Sequence, residues 1–286
     1  DEVLLPDPTW VNYSMAAGVC GGMVSTYALD PSLGWKPCVR EIERNISERT
    51  KCVVLCSPSN PTGSVLTLPE LEQIVDVANK HGVIVISDEI YGQIYFGEGN
   101  AAPSLLQCSN LNPQTAAVVG GISKAWAMTG FRVGWIIAKN KSIVDMSSKL
   151  LECSISCGVP FAQAGATEAL SSEKVAAEVK IMVDEYKRRR DAAIRVLKRH
   201  GMFEYEPQGA FYLLIKVDAR DKDFDSTKFC YDLLHECHVA VSPGSAFGDR
   251  ASQYVRISLA SPVDDIEDGI ERLCEYLGSI RKSPNF

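Results

Sequence analysis

No apolar stretch in these 286 residues approaches the roughly 20 needed to cross a bilayer, and no charged start leads into an apolar centre. Neither a membrane span nor a signal segment is expected. Basic residues are in the minority: 29 Lys and Arg against 36 Asp and Glu leave a net charge of −7. That balance supplies no stripe to neutralise nucleic-acid phosphates. The longest basic run, Lys187-Arg188-Arg189-Arg190, follows acidic helical residues and is expected to form a solvated helix face. CxxC spacing is absent. Cys52 and Cys56 are too far apart for it, and His235 and His238 around Cys237 make no usual zinc pattern, so no metal site is expected. Without paired short spacings the ten cysteines read as small hydrophobes of a reducing compartment, which implies a cytoplasmic location. No internal repeat or low-complexity tract occurs.

What is present suits an α/β protein. At 46% apolar and 23% charged residues the chain can form a packed core, and its length suits a large domain plus a smaller one. Cys52 to Cys56 is an apolar run closed by Ser57-Pro58-Ser59-Asn60-Pro61-Thr62-Gly63, a strand entering a turn-rich loop. A helix follows, with Thr67 as cap, Pro69 in its first turn, Leu71, Ile74, Val75 and Ala78 at helical spacing, and a stop at His81-Gly82. Val83 to Asp88 is a second strand. Strand, crossover helix and strand make the unit of a parallel sheet. Further strands are expected at Ala116 to Val119 and Arg132 to Ala138, and Asp1 to Pro6 reads as the end of a strand entering a loop. Helices should cover Ser142 to Cys153, Phe161 to Leu170 and Glu173 to His200. Beyond them short strands (Phe211 to Ile215, Val239 to Val241, Val255 to Leu259) alternate with helices (Ser226 to Cys237, Val263 to Leu277). The expected division is a large domain over 1–172, a mostly parallel sheet between helices, and a smaller α/β domain over 173–286.

In open parallel sheets ligands sit off the carboxyl ends of the strands, where Asn60, Asp88 and the loop holding Lys124 all fall. Lys124 lies in a mostly apolar loop, Gly120-Gly121-Ile122-Ser123-Lys124-Ala125-Trp126-Ala127-Met128, where an ammonium is disfavoured and the amine can become a nucleophile. A lone lysine is more often a surface residue; its neighbours change the reading. A pyridoxal cofactor needs a lysine for an imine, a carboxylate for the ring nitrogen, donors for the ring phenolate and a cation for the phosphate. Asp88 is the candidate carboxylate, or else a cap for the next helix; Tyr91 and Asn60 are the candidate donors, or else a structural tyrosine and a turn asparagine; and Arg132 is a fixed fork suited to a phosphate dianion, or else a surface ion-pair partner. Trp10 offers a flat face for the ring.

The segments Ser59-Asn60-Pro61-Thr62-Gly63, Ser87-Asp88-Glu89-Ile90-Tyr91 and Ser123-Lys124-Ala125-Trp126-Ala127-Met128-Thr129-Gly130-Phe131-Arg132-Val133-Gly134 resemble, in order and spacing, the signatures of class I aminotransferases of fold type I. The likeness is strongest to the aspartate and aromatic aminotransferases. It implies transfer of an amino group between an L-amino acid and a 2-oxo acid through a Schiff base of pyridoxal 5'-phosphate on Lys124. It assigns Asn60 and Tyr91 to the phenolate oxygen, Asp88 to the ring nitrogen, Arg132 to the phosphate, Trp10 to ring stacking and Arg256 to the substrate α-carboxylate. Tyr13 matches a position that buttresses the aspartate. Many members carry a hydroxyl three residues before the lysine; here that residue is Gly121, and Ser123 is the substitute. The resemblance also implies a homodimer, and a preceding segment of about a hundred residues that would bring a Gly-rich helix start and a tyrosine from the partner subunit. A carbon-sulfur lyase or synthase on the same fold is the rival enzyme, and a ligand-sensing domain of a transcription regulator the rival outside catalysis.

Overall fold

The computed structural model describes residues 1–217 and 224–280. Its first part runs β1 (Glu2–Asp7), α1 (Asn12–Val19), β2 (Met23–Asp30), β3 (Lys36–Pro37), α2 (Val39–Asn45), β4 (Thr50–Cys56), α3 (Leu68–His81), β5 (Ile84–Asp88), β6 (Ala116–Gly121), β7 (Gly134–Ala138), α4 (Lys141–Ile155) and α5 (Pro160–Ser171). The long α6 (Glu173–Arg199) leads to β8 (Tyr212–Lys216), α7 (Ser226–Cys237), β9 (Ser242–Pro243), β10 (Tyr254–Ser258) and α8 (Val263–Ile280).

A seven-stranded sheet has the order β3-β2-β1-β4-β5-β6-β7. The strands β2, β1, β4, β5 and β6 run parallel, and the edge strands β3 and β7 run antiparallel to their neighbours. The fold is therefore α/β with a mostly parallel sheet, and β1, β4, β5 and β6 all end on one edge. A second, antiparallel sheet has the order β8-β10-β9.

Local chemistry explains the clearest element. The Thr67 hydroxyl accepts from the Glu70 N–H while the Glu70 carboxylate accepts from the Thr67 N–H, a reciprocal cap worth about 1 kcal/mol. Gly82 closes α3 at φ 66°, where a side chain is strained. Leu71, Ile74, Val75 and Ala78 are buried between these ends, and each large aliphatic contributes about 2 kcal/mol by leaving water. Around Trp35, fully buried, the edges of Tyr254 and Tyr205 pack at 4.9 and 6.4 Å, so the core under β4 and α3 is continuous with that of the smaller sheet.

Three expectations are corrected. The strand expected at Val239 to Val241 forms instead at Ser242–Pro243, because β10 pairs there, Val255 opposite Pro243 and Arg256 opposite Ser242; Val239 and Val241 pack on the core from a loop. The strand expected from Arg132 begins at Gly134, since Arg132 takes a left-handed φ of 54°. The basic run at 187–190 is a solvated face only in part: Lys187 and Arg188 are exposed, Arg190 is not. Four successive residues go round a helix, and Arg190 turns inward, 5% exposed, over the Phe96 ring and paired with Asp191 and Glu206. The cysteines divide too: all ten are free, Cys108, Cys230 and Cys274 buried, Cys20, Cys153 and Cys157 exposed.

Candidate active site

The parallel strands deliver their carboxyl ends to one place. In register, Cys56 on β4 stands beside Asp88 on β5. The loop after β4 carries Asn60, and the loop after β6 carries Lys124.

Asp88 is held at both oxygens: Oδ1 accepts from the Ile90 N–H at 3.0 Å and Oδ2 from the Tyr13 hydroxyl at 2.5 Å. Burial pushes its carboxyl above the usual range, against the lowering by these two donors and by the Lys124 charge. Lys124 is half-buried, with Nζ 5.8 Å from the centre of the Tyr91 ring. Its amine lies below the ordinary 10.5, first through desolvation, then through repulsion from Arg132 and Arg256, with Asp88 opposing. Tyr91 is 3% exposed and its hydroxyl meets that of Tyr212 at 3.2 Å. Burial raises the Tyr91 pKa far above 10, so the phenol keeps its proton as a donor. The Cys56 thiol, beside Asp88, is pushed up to about 12 by burial and that negative charge, and stays neutral.

Arg256 closes the site from β10. Its Nη1 donates to Asn60 Oδ1 at 3.0 Å and its Nη2 to Ser242 Oγ at 3.1 Å. The guanidinium carbon lies 4.4 Å from the Tyr212 ring centre and 4.6 Å from that of Phe247. Nε is buried without a hydrogen-bond partner, and no carboxylate pairs with this cation among the described residues. A half-buried guanidinium with no carboxylate beside it is suited to an anionic ligand.

The sequence-selected residues thus fall into two groups. Asn60, Asp88, Tyr91, Lys124 and Arg256 converge. Arg132 is exposed, with Nη1 donating to the Thr129 carbonyl at 2.9 Å and no ion pair among the described residues, and its charge reaches Lys124. Ser123 sits half-buried beside Lys124, its carbonyl accepting from the Thr129 hydroxyl at 2.8 Å. Trp10, 37% exposed, follows β1 on the same edge but makes no ring stack among the described residues. Tyr212, Phe247 and Ser242 were not singled out from sequence; nothing in their spacing points to an arginine distant in the chain.

Two glycines are required by contact. A Cβ on Gly121 would lie 2.9 Å from the Val133 carbonyl oxygen, so a hydroxyl residue there has no room. At Gly63, φ is 70° and a Cβ would meet Pro207 Cβ at 2.7 Å and the Tyr212 carbonyl oxygen at 2.8 Å. Gly63→Ala is accordingly expected to cost about 3 kcal/mol by backbone strain and overpacking, read as a lower denaturant midpoint; an unchanged midpoint would show that the loop can shift.

The donors present fit pyridoxal phosphate: an amine of lowered pKa, a half-buried carboxylate, a protonated phenol, and two arginines without carboxylate partners among the described residues for two anions. No group of three or more His, Cys, Asp or Glu able to hold a metal occurs among the described residues, and none of their helices is long and apolar enough to cross a membrane. The family model for aminotransferase class I and II matches residues 1–273. The chain is 36% identical to an aspartate aminotransferase of Pyrococcus abyssi, over 97% of its own length and 70% of that protein's. It is 33% identical to aromatic-amino-acid aminotransferase 2 of Thermococcus litoralis, with the same coverage. The aromatic aminotransferase of Pyrococcus horikoshii superposes with a TM-score of 0.91 at 34% identity, over 98% of this chain and 74% of that one. The chain therefore belongs to the class I and II aminotransferases, a family that implies pyridoxal phosphate, and it is an enzyme that transfers amino groups.

Proposed function

We propose that the chain transfers the amino group of an aspartate-like or aromatic L-amino acid to a 2-oxo acid, with Lys124 carrying the cofactor and serving as base. The observation that supports this best is the convergence at one edge of the parallel sheet of Lys124, its Nζ 5.8 Å from the Tyr91 ring centre, and the Asp88 carboxylate that two donors hold. When bound, pyridoxal phosphate supplies the carbonyl carbon that takes up the amino group and a ring that delocalises the electron pair released at the substrate Cα.

The remaining steps belong to the protein. Asp88, fixed by Tyr13 and Ile90, would hold the ring nitrogen in its protonated form. Tyr91 and the Asn60 amide would donate to the phenolate oxygen; the Asn60 oxygen is already turned to Arg256, which leaves the NH2 group for this task. Arg132 and the loop at Ser123 would hold the phosphate, and Trp10 would cover the ring. Arg256 takes the α-carboxylate, the one feature that amino donor and 2-oxo acceptor share. Lys124 Nζ, unprotonated at a lower pH than an ordinary lysine, takes the proton from the substrate Cα.

The same proposal includes a large domain over 1–172 and a smaller one over 173–286, supported by their separate sheets. It includes a cytoplasmic homodimer of the full-length protein, which would cover exposed Met146, Leu150 and Phe161 on α4 and α5. Borohydride reduction of the cofactor-loaded, full-length protein followed by peptide mapping tests the core of this reading. The cofactor mass is expected on Lys124; labelling of another lysine, or of none, would refute it.

A further inference from the structure

Two sets of contacts fix Arg256, and they act on different motions. The rings of Tyr212 and Phe247, 4.4 and 4.6 Å from the guanidinium carbon, restrict how its plane can tilt. They do not fix rotation within that plane. That angle is set by two hydrogen bonds, Nη1 to Asn60 Oδ1 and Nη2 to Ser242 Oγ. The Ser242 contact comes from strand register: β9 and β10 pair antiparallel with Ser242 directly opposite Arg256, which puts both side chains on one face of the small sheet. Of the five N–H donors of a guanidinium, these bonds engage two and leave three. With Nε shielded from solvent, the accessible remainder lies on Nη1 and Nη2.

We infer that Ser242 is a positioning residue for the carboxylate clamp: its hydroxyl holds the Arg256 fork at the in-plane angle at which the terminal nitrogens face the α-carboxylate of both substrates. This deepens the proposed role of Arg256 and rests on it. Without the hydroxyl, Asn60 alone restrains the fork, and Asn60 must also serve the cofactor. The residue acts on binding and leaves the proton transfers at Lys124 alone.

The consequence is a split between kinetic constants. In the full-length, cofactor-loaded enzyme, Ser242→Ala is expected to raise KM for the amino donor and for 2-oxoglutarate by a similar factor of about ten, the size expected when a hydrogen bond to a charged group is lost. The turnover number should change much less. The dissociation constant of succinate, a non-reacting dicarboxylate, measured by calorimetry, should rise by the same factor. Ser242→Thr, which keeps the hydroxyl, should restore both. Thermal melts of the two variants show whether either is damaged in folding. Succinate binding within twofold of wild type in Ser242→Ala, or equal weakening in Ala and Thr, overturns the role of Ser242. Arg256→Gln separates the two readings: weak succinate binding in Arg256→Gln with normal binding in Ser242→Ala rejects the serine's role and leaves the clamp standing, whereas normal binding in Arg256→Gln rejects the clamp itself.

Discussion

Lys124→Ala should lower kcat/KM of the full-length enzyme by at least about 10⁴-fold, because one substitution removes both the group that captures the cofactor and the base at the substrate Cα, and a positioned base alone contributes up to about that factor. The fold should survive. Lys124 is half-buried and gives up hydration without an ion pair of its own among the described residues, so truncation removes a desolvated cation rather than a packed core side chain. The linkage has a definite sign. The folded chain holds the Lys124 proton less tightly than the unfolded chain does, so this group's share of stability rises with pH from its lowered value up to 10.5 and is constant above it. In the apoprotein, the rate at which an amine-reactive anhydride acylates Lys124 should therefore rise at lower pH than its rate with a lysine in a short unstructured peptide. A variant retaining more than a hundredth of wild-type kcat/KM, or a Lys124 that is acylated over the same pH range as the peptide lysine, would place the chemistry elsewhere.

The residues behind that expectation were largely legible in sequence, for a physical reason. Asp88 ends a parallel strand and Asn60 and Lys124 follow two others, and such strands show as apolar runs broken by turn residues, so their carboxyl ends can be placed without a structure. The α3 helix was legible residue by residue because its cap, its apolar stripe and its stop are all local. Elements whose reasons are not local were lost. The stretch Met23–Asp30 alternates weakly and has two exposed hydrophobics at its start, so β2 gave no run to recognise, although it pairs with β1 along six residues. Ser242 belongs to the same class: its meaning comes from a register with β10 that no spacing along the chain encodes. Arg190 shows the reverse failure. A charge run suggested solvent, and a tertiary pair with Glu206 turned one of its members inward.

Asp88→Asn should lower turnover by about 10³-fold, the scale of breaking a buried ion pair of 3–5 kcal/mol, because the amide cannot pair with a protonated ring nitrogen. The same change should not weaken the apoprotein. Burial already pushes the Asp88 carboxyl above its usual range, so the folded chain is penalised as pH climbs past the unfolded value of 3.8, and a neutral amide removes that penalty. Thermal melts of the apoprotein at neutral pH should accordingly show Asp88→Asn as stable as wild type or more so, while cofactor adds less stability to it than to wild type. Tyr13 separates charge from placement. Its hydroxyl donates to Oδ2 at 2.5 Å, and Tyr13→Phe should cost about tenfold in turnover, the loss of one hydrogen bond to a charged acceptor. In a double-mutant cycle the Tyr13 effect should shrink once Asp88 is Asn, since the donor then serves an acceptor without charge. Turnover within tenfold of wild type in Asp88→Asn would remove the carboxylate from the mechanism, and fully additive effects in the cycle would remove Tyr13 from its support.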